Sequence, residues 1–170
     1  MKNKIIILLP LFFVFVFTSC SSMYVRPTIE PVLYRQEVPG SAELIFKAAL
    51  RILPMMGYEI EGSNASAGTI TTGSMNTTID PSECDCGSAM GMGPVVKRGG
   101  IKAKVYFVLS VSRGELVIRA VIEPQIEDMM ATIIGAGAAV TCVSKGGLEK
   151  MFARKFMEKM GTNAIRMLFN

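Results

Sequence analysis

Residues 102–123 constrain the fold of this chain more than any other stretch. They form two runs in which apolar residues alternate with other residues, and Arg113-Gly114 separates the runs. Alternation with a period of two is typical of strands that bury one face, and a two-residue connection containing glycine suits a tight turn. The sequence therefore predicts an antiparallel β-hairpin here, and Pro124 ends its second strand.

Two segments with apolar residues at helical spacing lie on either side of this hairpin. Residues 41–55 begin at Ser41, a favourable N-cap, and stop near Pro54 and Gly57. A second helix is expected after Gly147, because apolar residues recur there every four positions. This stripe consists of Leu148, Phe152, Phe156, Met160 and Ala164.

Two shorter segments of β character lie between the first helix and the hairpin. Residues 58–61 alternate, and residues 69–78 are rich in threonine, with Gly73 as a weak point. The order of elements predicts a single α+β domain over residues 41–170. We expect two layers, with an antiparallel four-stranded sheet and the N- and C-terminal helices on one face.

The first residues of the chain have the pattern of a secretory signal. Lys2 and Lys4 precede a 13-residue run, residues 5–17, in which only Pro10 interrupts bulky apolar residues. A membrane-spanning helix needs about 20 apolar residues. The run therefore fits a cleaved signal better than a transmembrane anchor.

The residues that follow, Phe17-Thr18-Ser19-Cys20, resemble the bacterial lipobox, where a prolipoprotein is lipidated on cysteine and cut just before it. The resemblance implies a signal peptide at 1–19 and a lipidated Cys20 that binds the bilayer. Two or three acyl chains hold a protein firmly, whereas one chain binds only marginally. Because Ser21 rather than Asp follows, we expect an outer-membrane lipoprotein of the cell envelope, with its domain facing the periplasm.

Cleavage at this point leaves 151 residues and lowers the formal net charge from +4 to +2, because Lys2 and Lys4 are lost. Residues 20–40 contain three prolines and end in Gly40. Proline disfavours helix at its own position and at the preceding one. We therefore expect an extended tether with a short edge strand at residues 32–34.

The composition argues against several functions. The chain contains no histidine, which is the commonest general base and metal ligand. It has no acid and base at a catalytic motif spacing, and no basic run interleaved with aromatic residues. We expect no enzyme activity, no catalytic residues, no cofactor and no nucleic-acid partner.

Three motifs in the first half of the domain, residues 42–50, 57–60 and 67–72, occur in a familiar order. Together they resemble the helix-grip repeat of BamC-type lipoproteins, which belong to the outer-membrane β-barrel assembly machinery. In that family a helix leads to two strands, a hairpin and a closing helix. The resemblance implies a non-catalytic protein-interaction or assembly module that binds an envelope protein.

Residues 80–100 form an insert rich in glycine, cysteine and methionine, where little regular structure is expected. Disulfides form in the oxidising compartments that secretory signals lead to. Cys84 and Cys86 flank a single residue, so a bond between them would be strained. We expect Cys142 to pair with Cys86, or with Cys84 as the alternative, and one thiol to remain.

A soft-metal or thiol-redox protein is the alternative interpretation of the insert. Cys84, Cys86, Met90 and Met92 offer sulfur ligands suited to Cu(I). The Cys-x-Cys spacing differs from the Cys-x₂-Cys spacing of zinc sites. A redox thiol needs a nearby base or cation to lower its pKa, and Lys145 follows Cys142 by three residues.

Residues 133–140 form a run of small and apolar residues, too short to span a bilayer. Glycine and alanine allow another backbone to approach closely. We interpret the run as a short buried helix or close-packed loop, with an exposed patch for a partner or lipid as the alternative.

The lipobox makes a direct prediction about acylation. Cys20→Ser should abolish incorporation of an alkyne-tagged palmitate analogue during growth, because the thioether to diacylglycerol forms only on that sulfur. Cys84→Ser, a matched loss of one thiol, should leave labelling unchanged. An unlabelled native chain would remove the basis for the membrane anchor.

Overall fold

The computed structural model describes residues 24–89, 93–96, 99–112, 114–126 and 140–168, with side chains as far as Gly161. The strands are β1 (Tyr24–Val25), β2 (Tyr34–Glu37), β3 (Ile60–Asn64), β4 (Thr69–Thr72), β5 (Met75–Ile79), β6 (Cys84–Asp85), β7 (Ser88–Ala89), β8 (Gly93–Pro94), β9 (Ile101–Ser112), β10 (Glu115–Pro124) and β11 (Val143–Ser144), and the helices are α1 (Ala42–Met55) and α2 (Gly147–Leu168). The chain has the α+β architecture that the order of sequence patterns predicted.

The predicted hairpin is confirmed and forms the centre of the main sheet. Strands β9 and β10 pair antiparallel along the whole of β10, with Phe107 opposite Ala120. Gly114 turns the chain between them with a φ of +78°. Along β9 the buried side chains alternate with exposed or half-buried ones, as the period of two requires.

The main sheet has six strands, whereas four were expected. Its order is β2-β10-β9-β4-β3, all antiparallel, and β5 also pairs with β9. One added strand comes from the predicted strand at 69–78, which breaks at Gly73 into β4 and β5. There the Gly73 N–H bonds the Glu59 carbonyl at 2.8 Å instead of continuing along β9.

The other added strand comes from the segment predicted to be a tether. Residues 34–37 form β2 and pair with β10, and Val38 is only 3 % exposed. Nearer the N-terminus, β1 pairs with β7 of the insert. The described part of the predicted tether is therefore packed into the fold, and the edge strand begins two residues later than expected.

Helix α1 begins and ends as its sequence predicted. The Ser41 hydroxyl accepts a hydrogen bond from the Leu44 N–H at 3.3 Å, and Glu43 pairs with Lys47 on the exposed face at 2.7 Å. An exposed pair of this kind adds only about 0.3–0.5 kcal/mol, so burial of the apolar face holds the helix. The buried residues are Ile45, Phe46, Ala49, Ile52 and Leu53.

Both helices contact strands of the main sheet and contact each other. The centre of this core is Phe152 of α2, which is fully buried. The centroid of its ring lies 4.4 Å from the ring centroid of Phe107 in β9 and 5.2 Å from that of Tyr58, which follows α1. Among the residues that the structure describes, no helix is both long enough and apolar enough to span a bilayer.

A buried glutamate joins the start of α2 to the edge of β10. Glu149 is fully buried. One of its oxygens accepts from the Ala120 N–H at 3.1 Å, and the other accepts from the Ser144 hydroxyl at 2.6 Å. Because β2 pairs with β10 only as far as Ile118, the Ala120 N–H would otherwise have no strand partner on that side.

We expect Glu149→Ala to lower the free energy of unfolding by about 3 kcal/mol, because two buried donors lose their acceptors. Glu149→Gln should cost about 1 kcal/mol, since its amide keeps one oxygen for Ala120 and offers an N–H to Ser144. Urea unfolding curves measure both. Equal losses of unfolding free energy in the two variants would contradict the explanation that Glu149 stabilises the fold through these two hydrogen bonds.

Candidate functional site: the cysteine cluster

The three cysteines downstream of Cys20 meet at one small pair of strands. Strand β6 pairs antiparallel with β11, with Ser144 opposite Cys84. Continued by two residues, this register places Cys142 opposite Cys86, and these two form a disulfide with a Cα–Cα distance of 4.0 Å. The structure thus contains the pairing that the sequence analysis put first, and we call Cys84, Cys86 and Cys142 the cysteine cluster.

The disulfide is attached to the main sheet and to the N-terminal strand. Cys142 forms a β-bridge with Ile122 of β10. The Tyr24 hydroxyl donates to the Cys86 carbonyl and accepts from the Thr141 N–H, both at 3.0 Å. One tyrosine therefore bridges the two chain segments that the disulfide joins, a role that no sequence pattern indicated.

The insert chain is also held on the other side of β6. The Lys145 ammonium donates to the Pro81 carbonyl at 2.6 Å, and the Lys145 N–H donates to the Glu83 carbonyl at 2.8 Å. Lys145 thus lies beside the cluster, as its spacing from Cys142 allowed, but its ammonium bonds a backbone oxygen.

Cys84 is the free cysteine of the cluster and is buried. Its sulfur lies 3.8 Å from that of Cys86. Burial raises the pKa of the Cys84 thiol to about 11, and the nearby carboxylates Glu83, Asp85 and Asp80 also raise it, while Lys145 lowers it. At pH 7 roughly one thiol in ten thousand is then ionised, so Cys84 lacks the depressed pKa of a reactive thiol.

The soft-metal interpretation requires more than the structure offers in this oxidation state. Cys86 is tied up in the disulfide, which leaves Cys84 as the one thiol of the Cys-x-Cys pair. Within the described ranges, no group of three or more His, Cys, Asp or Glu residues is arranged to hold a metal ion. The other sulfur candidates, Met90 and Met92, lie outside the described residues.

Two further sequence predictions also fall outside the described part of the chain. Cys20, the predicted lipidation site, is one of them, and residues 133–139 of the small-residue run are the other. Both therefore remain predictions.

Among the described residues, the shortest hydrogen bond between a hydroxyl and a carboxyl group joins Ser144 to Glu149, and its role is structural. Ser144 is 3 % exposed. Its oxygen accepts a hydrogen bond from the Gly146 N–H at 3.1 Å, and its hydroxyl donates a hydrogen bond to Glu149. Both carboxyl oxygens of Glu149 are engaged. The only hint in the sequence was an acidic residue in the first turn of α2, a position favoured by the helix dipole.

Two open grooves on the described surface are further candidate binding sites. The first has a volume of about 600 Å³ and lies between β2 and α2. Its lining includes Tyr34, Gln36, Lys150, Met151, Arg154 and Met157. The second, of about 870 Å³, lies between α1 and the turn that joins β3 to β4. Its rim carries the Glu43–Lys47 pair, so its charges are already balanced.

Comparison of this chain with models of known protein families and with curated proteins finds no match. The function is therefore inferred from the sequence patterns, the cysteine cluster and the two grooves.

The disulfide predicts a large difference between two single cysteine variants. Cys142→Ser should lower the free energy of unfolding by about 4 kcal/mol, the loop-closure value for cysteines separated by 56 residues. Cys84→Ala should cost about 1 kcal/mol, because it removes only one buried sulfur. Unfolding without reductant measures both, and similar losses in the two variants would contradict a stabilising disulfide.

Proposed function

We propose that this chain is a lipid-anchored lipoprotein of the bacterial cell envelope whose α+β domain binds an envelope protein without catalysis. The secretory pattern and the lipobox at Cys20 support the anchor. The Cys86–Cys142 disulfide supports an oxidising compartment, since cytosolic reductants remove such bonds. Ser21 favours the outer membrane, with the domain in the periplasm.

The observation that carries the binding role is the groove between β2 and α2. Strand β2 lies at the edge of the sheet. Since the Val38 N–H bonds the Gly114 carbonyl, and directions alternate along a strand, the backbone groups of Arg35 and Glu37 point away from β10. Of these, the Glu37 carbonyl accepts from the Gln36 side-chain amide at 3.0 Å, a bond that an added strand would replace. An extended peptide can therefore add a strand at this edge.

The groove lining favours a peptide with acidic and apolar residues. Lys150 and Arg154 are exposed, and neither is in an ion pair within the described part of the chain. Met151 and Met157 lie beside them, and methionine adapts its shape to different apolar partners. Charge complementarity of this kind steers and orients a partner.

The similarity of residues 42–50, 57–60 and 67–72 to the helix-grip repeat of BamC-type lipoproteins supports the same class of function. It makes an assembly role at the outer membrane the most specific form of the proposal. An extended segment of an envelope protein is the occupant that this role and the groove both favour.

A pull-down from detergent-solubilised envelopes tests the proposal with the full-length chain as bait. Lys150→Glu with Arg154→Glu should reduce partner recovery at least tenfold, because the groove changes charge by four units. The control, Lys155→Glu with Lys159→Glu, makes the same change at exposed positions of α2 that do not line the groove. It should recover the partner as the native chain does.

Two results would contradict the proposal. Failure of the native chain to recover a reproducible partner would remove the interaction role. Equal loss of partner in both charge variants would remove the groove from it, leaving only a general charge effect.

A further inference from the structure

The cysteine cluster places a free thiol against a disulfide in a way the binding role does not use. Cys84 and Cys86 are separated by one residue of β6, so both side chains lie on the same side of that strand. Their sulfurs are 3.8 Å apart, close to van der Waals contact. Both reactants of a thiol–disulfide exchange, the Cys84 thiol and the Cys86–Cys142 disulfide, are therefore adjacent within the same chain.

We propose that Cys84 is an internal exchange thiol, which moves the disulfide from Cys86–Cys142 to Cys84–Cys86 and releases Cys142. The Cys84 thiolate attacks the sulfur of Cys86 and forms a Cys84–Cys86 bond. The Cys86–Cys142 bond breaks, and its electron pair leaves with the Cys142 sulfur, which takes up a proton. One disulfide and one thiol exist before and after, so no oxidant or reductant is consumed.

The two isomers differ in what they hold together. In the observed isomer the bond joins the insert to the segment that leads into α2. In the exchanged isomer it closes a small ring over residues 84–86, which is strained for two cysteines separated by one residue. The observed isomer is therefore the main form, and the exchanged isomer is a minor form in which no covalent bond ties the insert to the segment before α2, leaving hydrogen bonds and apolar packing to hold it.

Charge and burial around Cys84 make the exchange slow at neutral pH. The carboxylates of Asp80, Glu83 and Asp85 oppose ionisation of the thiol, and the Lys145 ammonium favours it. The Asp80 carbonyl accepts from the thiol at a sulfur–oxygen distance of 3.9 Å. Since the thiolate is the attacking species, the rate should rise about tenfold for each pH unit from 7 towards 11.

The sequence offers a direct assay of the exchange. Cleavage before aspartate at Asp80, Asp85 and Asp128 puts Cys84, Cys86 and Cys142 on three different peptides. The full chain, in its oxidised form and without reductant, is incubated with N-ethylmaleimide at pH 7, 8 and 9, and the labelled peptide is identified by mass spectrometry. Label should appear on Cys142 as well as on Cys84, and the Cys142 signal should appear about tenfold faster per pH unit.

Two controls separate internal exchange from other routes. The rate of Cys142 labelling should not change over a tenfold range of protein concentration, because the attack is intramolecular. Cys84→Ala should abolish Cys142 labelling, and Cys84→Ser serves the same purpose should the alanine variant fail to fold. A native circular dichroism spectrum identifies the variant to use.

Three outcomes would overturn the proposal. The first is label on Cys84 alone in every molecule at all three pH values. The second is a rate proportional to protein concentration, which would mean exchange between chains. The third is persistent labelling of Cys142 in the folded Cys84 variant, which would mean that the disulfide opens by another route.

Discussion

The domain depends on two buried side chains that take the place of missing strand neighbours. Phe107 and Ala120 face each other at the middle of the β9–β10 hairpin. The Phe107 N–H lies at the gap between β4 and β5 and bonds the hydroxyl of Thr72 at 2.9 Å. The Ala120 N–H lies beyond the end of β2 and bonds Glu149. Both acceptors are fully buried, and each fixes where a neighbouring element ends or begins.

The local elements were predictable because their causes are local. The alternation in β9 and β10 and the N-cap at Ser41 each involve residues close together in the chain. The break at Gly73 was visible as a weak point, but the Thr72 hydrogen bond that makes it tolerable spans 35 residues. The edge strand β2 was predicted two residues too early. The prolines around it favour an extended tether, and its pairing partner β10 is distant in sequence.

In the candidate site, too, local features were predictable and features that depend on distant residues were not. Spacing excluded an easy bond between Cys84 and Cys86, and this left Cys142 as the partner for one of them. The choice of Cys86 follows from the register of two strands of two residues each, β6 and β11. Strands so short carry no periodic signal, and the supporting contact between Tyr24 and Thr141 joins residues 117 positions apart. The closeness of Cys84 to Cys86 is local in the sequence, but it becomes closeness to a disulfide only through the distant pairing of Cys86 with Cys142.

The packing of Tyr24 against the disulfide-linked segments also sets how far the domain would stand from a membrane under the proposed anchoring through Cys20. Only three residues lie between Tyr24 and Cys20. Four residue steps span at most about 14 Å even when fully extended, which is less than half the thickness of a bilayer's hydrocarbon core. With a connecting segment this short, a domain anchored through Cys20 would stay at the headgroup surface. In the proposed function, a bound partner would then be brought to the membrane rather than held in the open periplasm.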